Sequence, residues 1–128
     1  MSAYEKEYQF AKEQPEQFWR QQAEQISWFK FPQTILENDE HGIERWFADG
    51  ELNTCWLALD YHVEQGRGSQ IALIYDSPVT LTKRQYTYEQ LRDQVAKVAG
   101  MLAQQGVVKG DRVVIYMPMI PEAAMAML

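Results

Sequence analysis

The sequence predicts an α/β protein in which a helical, aromatic-rich N-terminal region is followed by a β-hairpin, a helix and a parallel strand. Three observations predict it. Phe18, Trp19, Ala23 and Ile26 recur at helical spacing behind Pro15. Residues 71–75 and 112–116 are short, continuous apolar runs rich in β-formers. Between them Leu91, Val95, Val98, Ala99 and Leu102 line one helical face. A strand, a helix and a strand in that order imply a right-handed parallel crossover.

Taken in order, Tyr4, Tyr8 and Ala11 fall at helical spacing, and Pro15 opens a second helix where its missing N–H costs nothing. Glu16, Gln17, Arg20, Gln21 and Glu24 form the polar face of that helix. From Ser27 to Asn53 the pattern is irregular. Trp28, Phe29 and Phe31 precede Pro32, which disfavours helix, and Asp49-Gly50 marks a turn. This stretch reads as an extended segment draping aromatic rings over a neighbouring surface. A third helix starts at Asn53 or Thr54, buries Trp56, Leu59 and Val63, and ends at Gly66 and Gly68.

Residues 71–75 form a buried strand, Asp76-Ser77-Pro78 turns the chain, and a strand around 84–87 pairs back as a hairpin with a long loop. Thr87 and Gln90 make a capping box, with Tyr86 and Leu91 as its hydrophobic staple, and Gly106 closes the helix. Lys109-Gly110-Asp111 turns into the strand at 112–116, which Pro118 ends. Pro121 begins a last helix over 121–128. Eight nearly all-apolar residues are too few for a helix to stand alone. They read as a helix cut partway, with structure expected beyond them.

Composition narrows the function classes. Of the 128 residues, 46% are hydrophobic and 23% charged, as in a globular protein, and 12% are aromatic, enough to fill a core. The net charge of −6 excludes the basic footprint of a nucleic-acid binder and disfavours an anionic membrane surface. Cys55 is the only cysteine, so an internal disulfide is excluded; it reads as a small buried hydrophobe, and a cytoplasmic protein is expected.

No catalytic, cofactor-binding or metal-ligating residue is expected. Gly66-Arg67-Gly68 precedes a strand instead of opening a helix, so it reads as a connection and not a phosphate cradle. Lys109-Gly110-Asp111 reads as a structural turn. His41 and His62 are isolated, with no carboxylates at ligand spacing. Glu37, Asp39 and Glu40 read as a solvated acidic loop, and Met117, Met119, Met125 and Met127 as adaptable packing residues.

Several segments carry a family resemblance. Gln14-Pro15-Glu16-Gln17-Phe18-Trp19, Trp46-Phe47-Ala48-Asp49-Gly50-Glu51-Leu52-Asn53 and Tyr86-Thr87-Tyr88-Glu89-Gln90-Leu91 resemble segments of acetyl- and propionyl-CoA synthetases. So does Leu59-Asp60-Tyr61-His62-Val63, with Tyr61 where Arg is common. The run from Lys109-Gly110-Asp111-Arg112 through Met117-Pro118-Met119-Ile120-Pro121 is similar nearly residue for residue. Ala72-Leu73-Ile74-Tyr75-Asp76-Ser77-Pro78-Val79-Thr80 resembles the propionyl-CoA synthetase branch.

The resemblance implies an N-terminal extension over residues 1–65 and the start of an adenylate-forming domain over 66–128. It also implies a two-step ligase. A small carboxylate, acetate or propionate, attacks the α-phosphate of ATP with Mg²⁺ offsetting charge. The CoA thiol then displaces AMP from the acyl-adenylate. The family's phosphate loop, ribose-binding Asp and catalytic Lys have no counterpart in these residues. The piece alone is therefore expected to be inactive, to hold no cofactor, and to self-associate through exposed strand edges. A non-catalytic interaction module is the alternative. Other adenylate-forming enzymes rank lower, because they generally lack the aromatic extension of residues 15–53.

Overall fold

The computed structural model describes residues 2–128, which form two compact units, one ending at Asn53 and the other Thr54–Leu128.

In the first unit, α1 (Ala3–Glu13) starts at a capping box: Ser2 Oγ accepts from the Glu5 N–H, and the Ser2 N–H donates to the Glu5 carboxylate. The Ser-x-x-Glu spacing of residues 2–5 is the sequence signal of that box. Helix α2 (Pro15–Ala23) begins at Pro15 as expected and ends before Ile26, which lies outside it and exposed. The segment read as irregular holds a short antiparallel hairpin, β1 (Leu36–Asn38) with β2 (Glu44–Trp46), paired Leu36 to Trp46. Three-residue strands are too short for alternation to show in sequence.

The draped aromatics are confirmed. Ring contacts run from Phe10 to Phe18, Trp19, Trp46, Phe47, Trp28 and Phe31, at centroid separations of 5.2–6.3 Å. Edge-on and tilted pairs of this kind add stabilisation beyond the area they bury. Ala23, Pro32 and Ile35 are the buried residues beside them. Two polar locks hold the connections. The Asp49 carboxylate accepts the backbone N–H groups of Gln33 and Thr34, both at 3.1 Å, which hold its pKa below the usual carboxylate range. The Trp28 indole N–H donates to the Ala23 carbonyl at 2.9 Å.

In the second unit, the helix expected from Thr54 is broken. It becomes α3 (Thr54–Ala58), α4 (Asp60–His62) and a π-turn over Val63–Arg67, with Leu59 non-helical between the first two pieces. No Pro or Gly marks the break. It falls at the most deeply buried apolar side chain, Leu59. Inside the π-turn Gly66 takes the left-handed region, at φ 77°, and Gly68 caps the turn.

Strands β3 (Ile71–Ser77) and β4 (Thr82–Thr87) form the expected antiparallel hairpin, joined by residues 78–81. A bulge near Ala72 lets neighbouring Ala72 and Leu73 both pack on the core. The reading of a buried strand needs correcting. Only one face is covered, and Ile71 and Ile74 stand exposed. An apolar run records β-propensity; it does not record whether a second layer lies over the sheet.

Helix α5 (Tyr88–Gln104) begins and ends as expected. The Thr87–Gln90 capping box is formed in both directions. At the other end the Gly106 N–H donates to Ala103 O and the Val107 N–H to Leu102 O, with Gly106 at φ 86°. That is the paired bonding of a Schellman motif. Helix α6 (Pro121–Met127) follows. The core joins Leu59, Leu91, Val95 and Met125, with Tyr86 and Val98 packed beside it. Of the expected α5 face, Ala99 is exposed.

The parallel strand is the main correction. Residues 112–116 join no sheet, and both sheets of the described residues are two-stranded antiparallel hairpins. A strand exists only where a partner completes its hydrogen bonds, and nothing among the described residues pairs with this one. The α/β class survives as a mixture of helices and hairpins without the crossover.

Candidate functional site

An apolar concavity lies in the second unit. Strand β3, residues 119–120 and α6 enclose an open groove of about 350 Å³. Leu73, Ile74, Ile120, Ala124 and Met127 make it apolar, and Asp76 is the one charged group on its wall. The fold puts it there for local reasons. The β3–β4 hairpin presents alternate side chains on two faces, and Pro121 starts α6 beside it. Arg84 of β4 reaches Glu122 of α6 at 3.7 Å, an exposed pair of small energetic weight. A groove of this kind suits packing; it contains no nucleophile paired with a base.

The polar groups of the other motifs make local backbone hydrogen bonds. Gly66-Arg67-Gly68 supplies carbonyls to the chain, with the Gln70 N–H donating to Arg67 O and the Glu89 N–H to Gly68 O. A phosphate cradle instead needs free N–H groups. At the start of α5 the capping box already engages the Thr87 and Gln90 N–H groups. Asp111 accepts the Val108 N–H at 2.8 Å and so closes the Lys109-Gly110-Asp111 turn. Asp39 accepts the N–H groups of Ile43 and His41, which hold its pKa below the usual carboxylate range. The acidic loop is therefore organised by Asp39, while Glu37 and Glu40 are exposed. His41 lies 3.5 Å from Glu40. Among the described residues no three His, Cys, Asp or Glu side chains gather as a metal would need. Cys55 is half-buried, and burial followed by the nearby Asp60 charge pushes its thiol pKa up.

Among the described residues His62 carries the buried side-chain polar atom that lacks a hydrogen-bond partner. Its ring packs on Tyr88 at 4.6 Å and Tyr61 at 5.6 Å, and its Nδ1 is buried without a hydrogen-bond partner. Burial, then the Arg67 charge, lowers its pKa. Protonation is thus disfavoured in the folded state relative to the unfolded one. Stability is full above the unfolded value of about 6.5 and falls as pH drops from there through the lowered folded value. His62→Phe is expected to flatten the decline in urea midpoint just below pH 6.5. An unchanged pH profile would refute the assignment.

Two families match successive stretches of the chain, and their boundary falls five residues beyond that of the two units. Residues 4–58 match the family described as acetyl-coenzyme A synthetase N-terminus, and residues 59–128 match the AMP-binding enzyme family. An uncharacterized protein of Pseudomonas aeruginosa is 58% identical over 115 residues, covering 90% of this chain and 18% of the relative. Human mitochondrial acyl-CoA synthetase short-chain family member 3 is 50% identical over 127 residues, covering 99% of this chain and 18% of the relative. The acetyl-coenzyme A synthetase of Streptomyces coelicolor is 44% identical over 121 residues, covering 94% and 18% respectively. The chain therefore spans about a fifth of the length of these relatives. Among its described residues no helix is long and apolar enough to cross a membrane. The chain belongs to the AMP-binding enzyme family, where it corresponds to the N-terminal portion of an acetyl-CoA or short-chain acyl-CoA synthetase.

Proposed function

We propose that these residues are the opening portion of an AMP-forming ligase that joins a short-chain carboxylate to CoA at the expense of ATP. The match of residues 59–128 to the AMP-binding family, preceded in order by the acetyl-CoA synthetase N-terminal match, carries this reading. Propionate is the proposed acid, on the similarity of the segment Ala72 to Thr80 to the propionyl-CoA synthetase branch. ATP, Mg²⁺ and CoA are assigned to the longer protein and to none of the residues described above. Within it, residues 1–65 act as extension and 66–128 as the start of the nucleotide-binding domain. The acidic balance and single cysteine support a cytoplasmic setting.

Alone, these 128 residues serve as scaffold. Titration calorimetry with Mg-ATP is expected to show no binding in the micromolar range. The longer protein is expected to release pyrophosphate with propionate more efficiently than with acetate, read as kcat/KM. Micromolar ATP binding by residues 1–128 would overturn the scaffold role. Absence of carboxylate-dependent pyrophosphate release from the longer protein would overturn the ligase.

A further inference from the structure

Asp49-Gly50 is the only Asp-Gly or Asn-Gly pair in the sequence. Such a pair is chemically labile. The glycine nitrogen, unshielded by any Cβ, can attack the aspartyl side-chain carbonyl and close a five-membered succinimide. In that step the Gly50 N–H gives up its proton and an N–Cγ bond forms. A Cγ–O bond of the protonated carboxyl breaks, releasing water. Water then reopens the ring. Attack at the side-chain carbonyl restores aspartate. Attack at the main-chain carbonyl leaves isoaspartate, with the chain running through Cγ and one carbon longer.

The first unit restrains both reacting groups. The Gly50 N–H donates to the Phe47 carbonyl at 3.0 Å. The Asp49 carboxylate accepts the N–H groups of Gln33 and Thr34, each at 3.1 Å, and the Arg20 guanidinium holds the Gln33 carbonyl at 2.8 Å. Ring closure requires the carboxyl to leave those donors and fold back onto the Gly50 nitrogen. The same donors favour the carboxylate, whose oxygen is a poor leaving group. We infer that Asp49-Gly50 is a spontaneous modification site, kept as aspartate by the folded first unit and converted to isoaspartate when that unit opens. Conversion is one-way for the fold. The extra chain atom shifts Gly50 where even an added Cβ would meet Trp28, Phe47 and Pro32 within 3.2 Å, and it displaces the carboxylate from its two donors. The inference does not depend on the ligase assignment, so either can fail alone.

Ageing the 128-residue chain at mildly acidic pH, with and without guanidinium chloride, tests it. Peptide mapping uses a protease that cleaves before aspartate but not before isoaspartate. In denaturant, isoaspartate at position 49 is expected to accumulate as fast as in a free peptide of residues 45–53. Without denaturant the rate is expected to be at least about tenfold lower, since reaction then waits on local opening. Gly50→Ala, compared in denaturant where its folding is irrelevant, is expected to slow the reaction several-fold, because a methyl shields the attacking nitrogen. Once denaturant is removed, undamaged chains are expected to regain native tryptophan emission and isoaspartate-bearing chains to stay red-shifted. Equal rates with and without denaturant overturn the inference. So does an unfolded chain that forms no isoaspartate at position 49, or a Gly50→Ala rate equal to the parent's. Native emission from isoaspartate-bearing chains overturns the one-way step.

Discussion

Leu59→Ala is expected to destabilise the unit Thr54–Leu128 by about 3 kcal/mol, lowering its urea midpoint by about 1–3 M. Leu59 is only 2% exposed and sits at the break between α3 and α4. Its side chain meets Leu91 and Val95 of α5 and Met125 of α6 in the core. Removing it deletes the transfer free energy of the buried carbons and leaves a cavity. Its neighbours sit on two different helices, α5 and α6, so they have little freedom to close in. The loss is large against the total of about 5–15 kcal/mol for a typical domain. Ala99→Gly on the exposed side of α5 serves as the contrast, with only the helix-propensity penalty of about 1 kcal/mol expected. A Leu59→Ala midpoint that matched that contrast would mean that the broken helix is not seated by this residue.

How much of this was legible beforehand differs between elements for physical reasons. Helix boundaries set by local chemistry were readable: Pro15, the Thr87–Gln90 box and Gly106 act within a few residues of themselves. So was the β3–β4 hairpin, whose turn chemistry and β-formers are contiguous. The break at Leu59 was hidden, since nothing in the local sequence differs from a continuous apolar stripe. The β1–β2 hairpin was hidden by its length. Residues 112–116 show the sharper limit. Their pattern was read as a buried strand, yet they are exposed and join no sheet, because pairing is a property of two segments and cannot be read from one. At the candidate site, the same limit explains the misread burial of Ile74, which faces the open groove. Asp39 was read only as a solvated loop acid and Asp49 only as half of a turn, although carboxylates in turns commonly accept backbone N–H groups nearby.

Gly50→Ala is expected to cost the first unit about 2 kcal/mol and to red-shift its tryptophan emission. The reason is close approach. A Cβ at position 50 would lie 2.7 Å from Trp28 Cζ3, 3.2 Å from the Phe47 carbonyl oxygen and 3.2 Å from Pro32 Cβ. Backbone and a proline ring cannot yield, so the indole has to move. It is tied by its N–H to the Ala23 carbonyl and wedged between Phe31 and Phe47, so movement breaks a hydrogen bond and two ring contacts together. Gly42→Ala separates this from backbone strain. Gly42 has φ 75° with nothing within 4 Å of an added Cβ, so its substitution is expected to cost about 1 kcal/mol without altering emission. The double substitution Trp28→Phe with Gly50→Ala tests the contact itself. The smaller ring vacates the position of Cζ3, so the two costs should sum to less than their separate values by at least about 1 kcal/mol. Strict additivity would show that position 50 is small for some reason other than the indole packed against it.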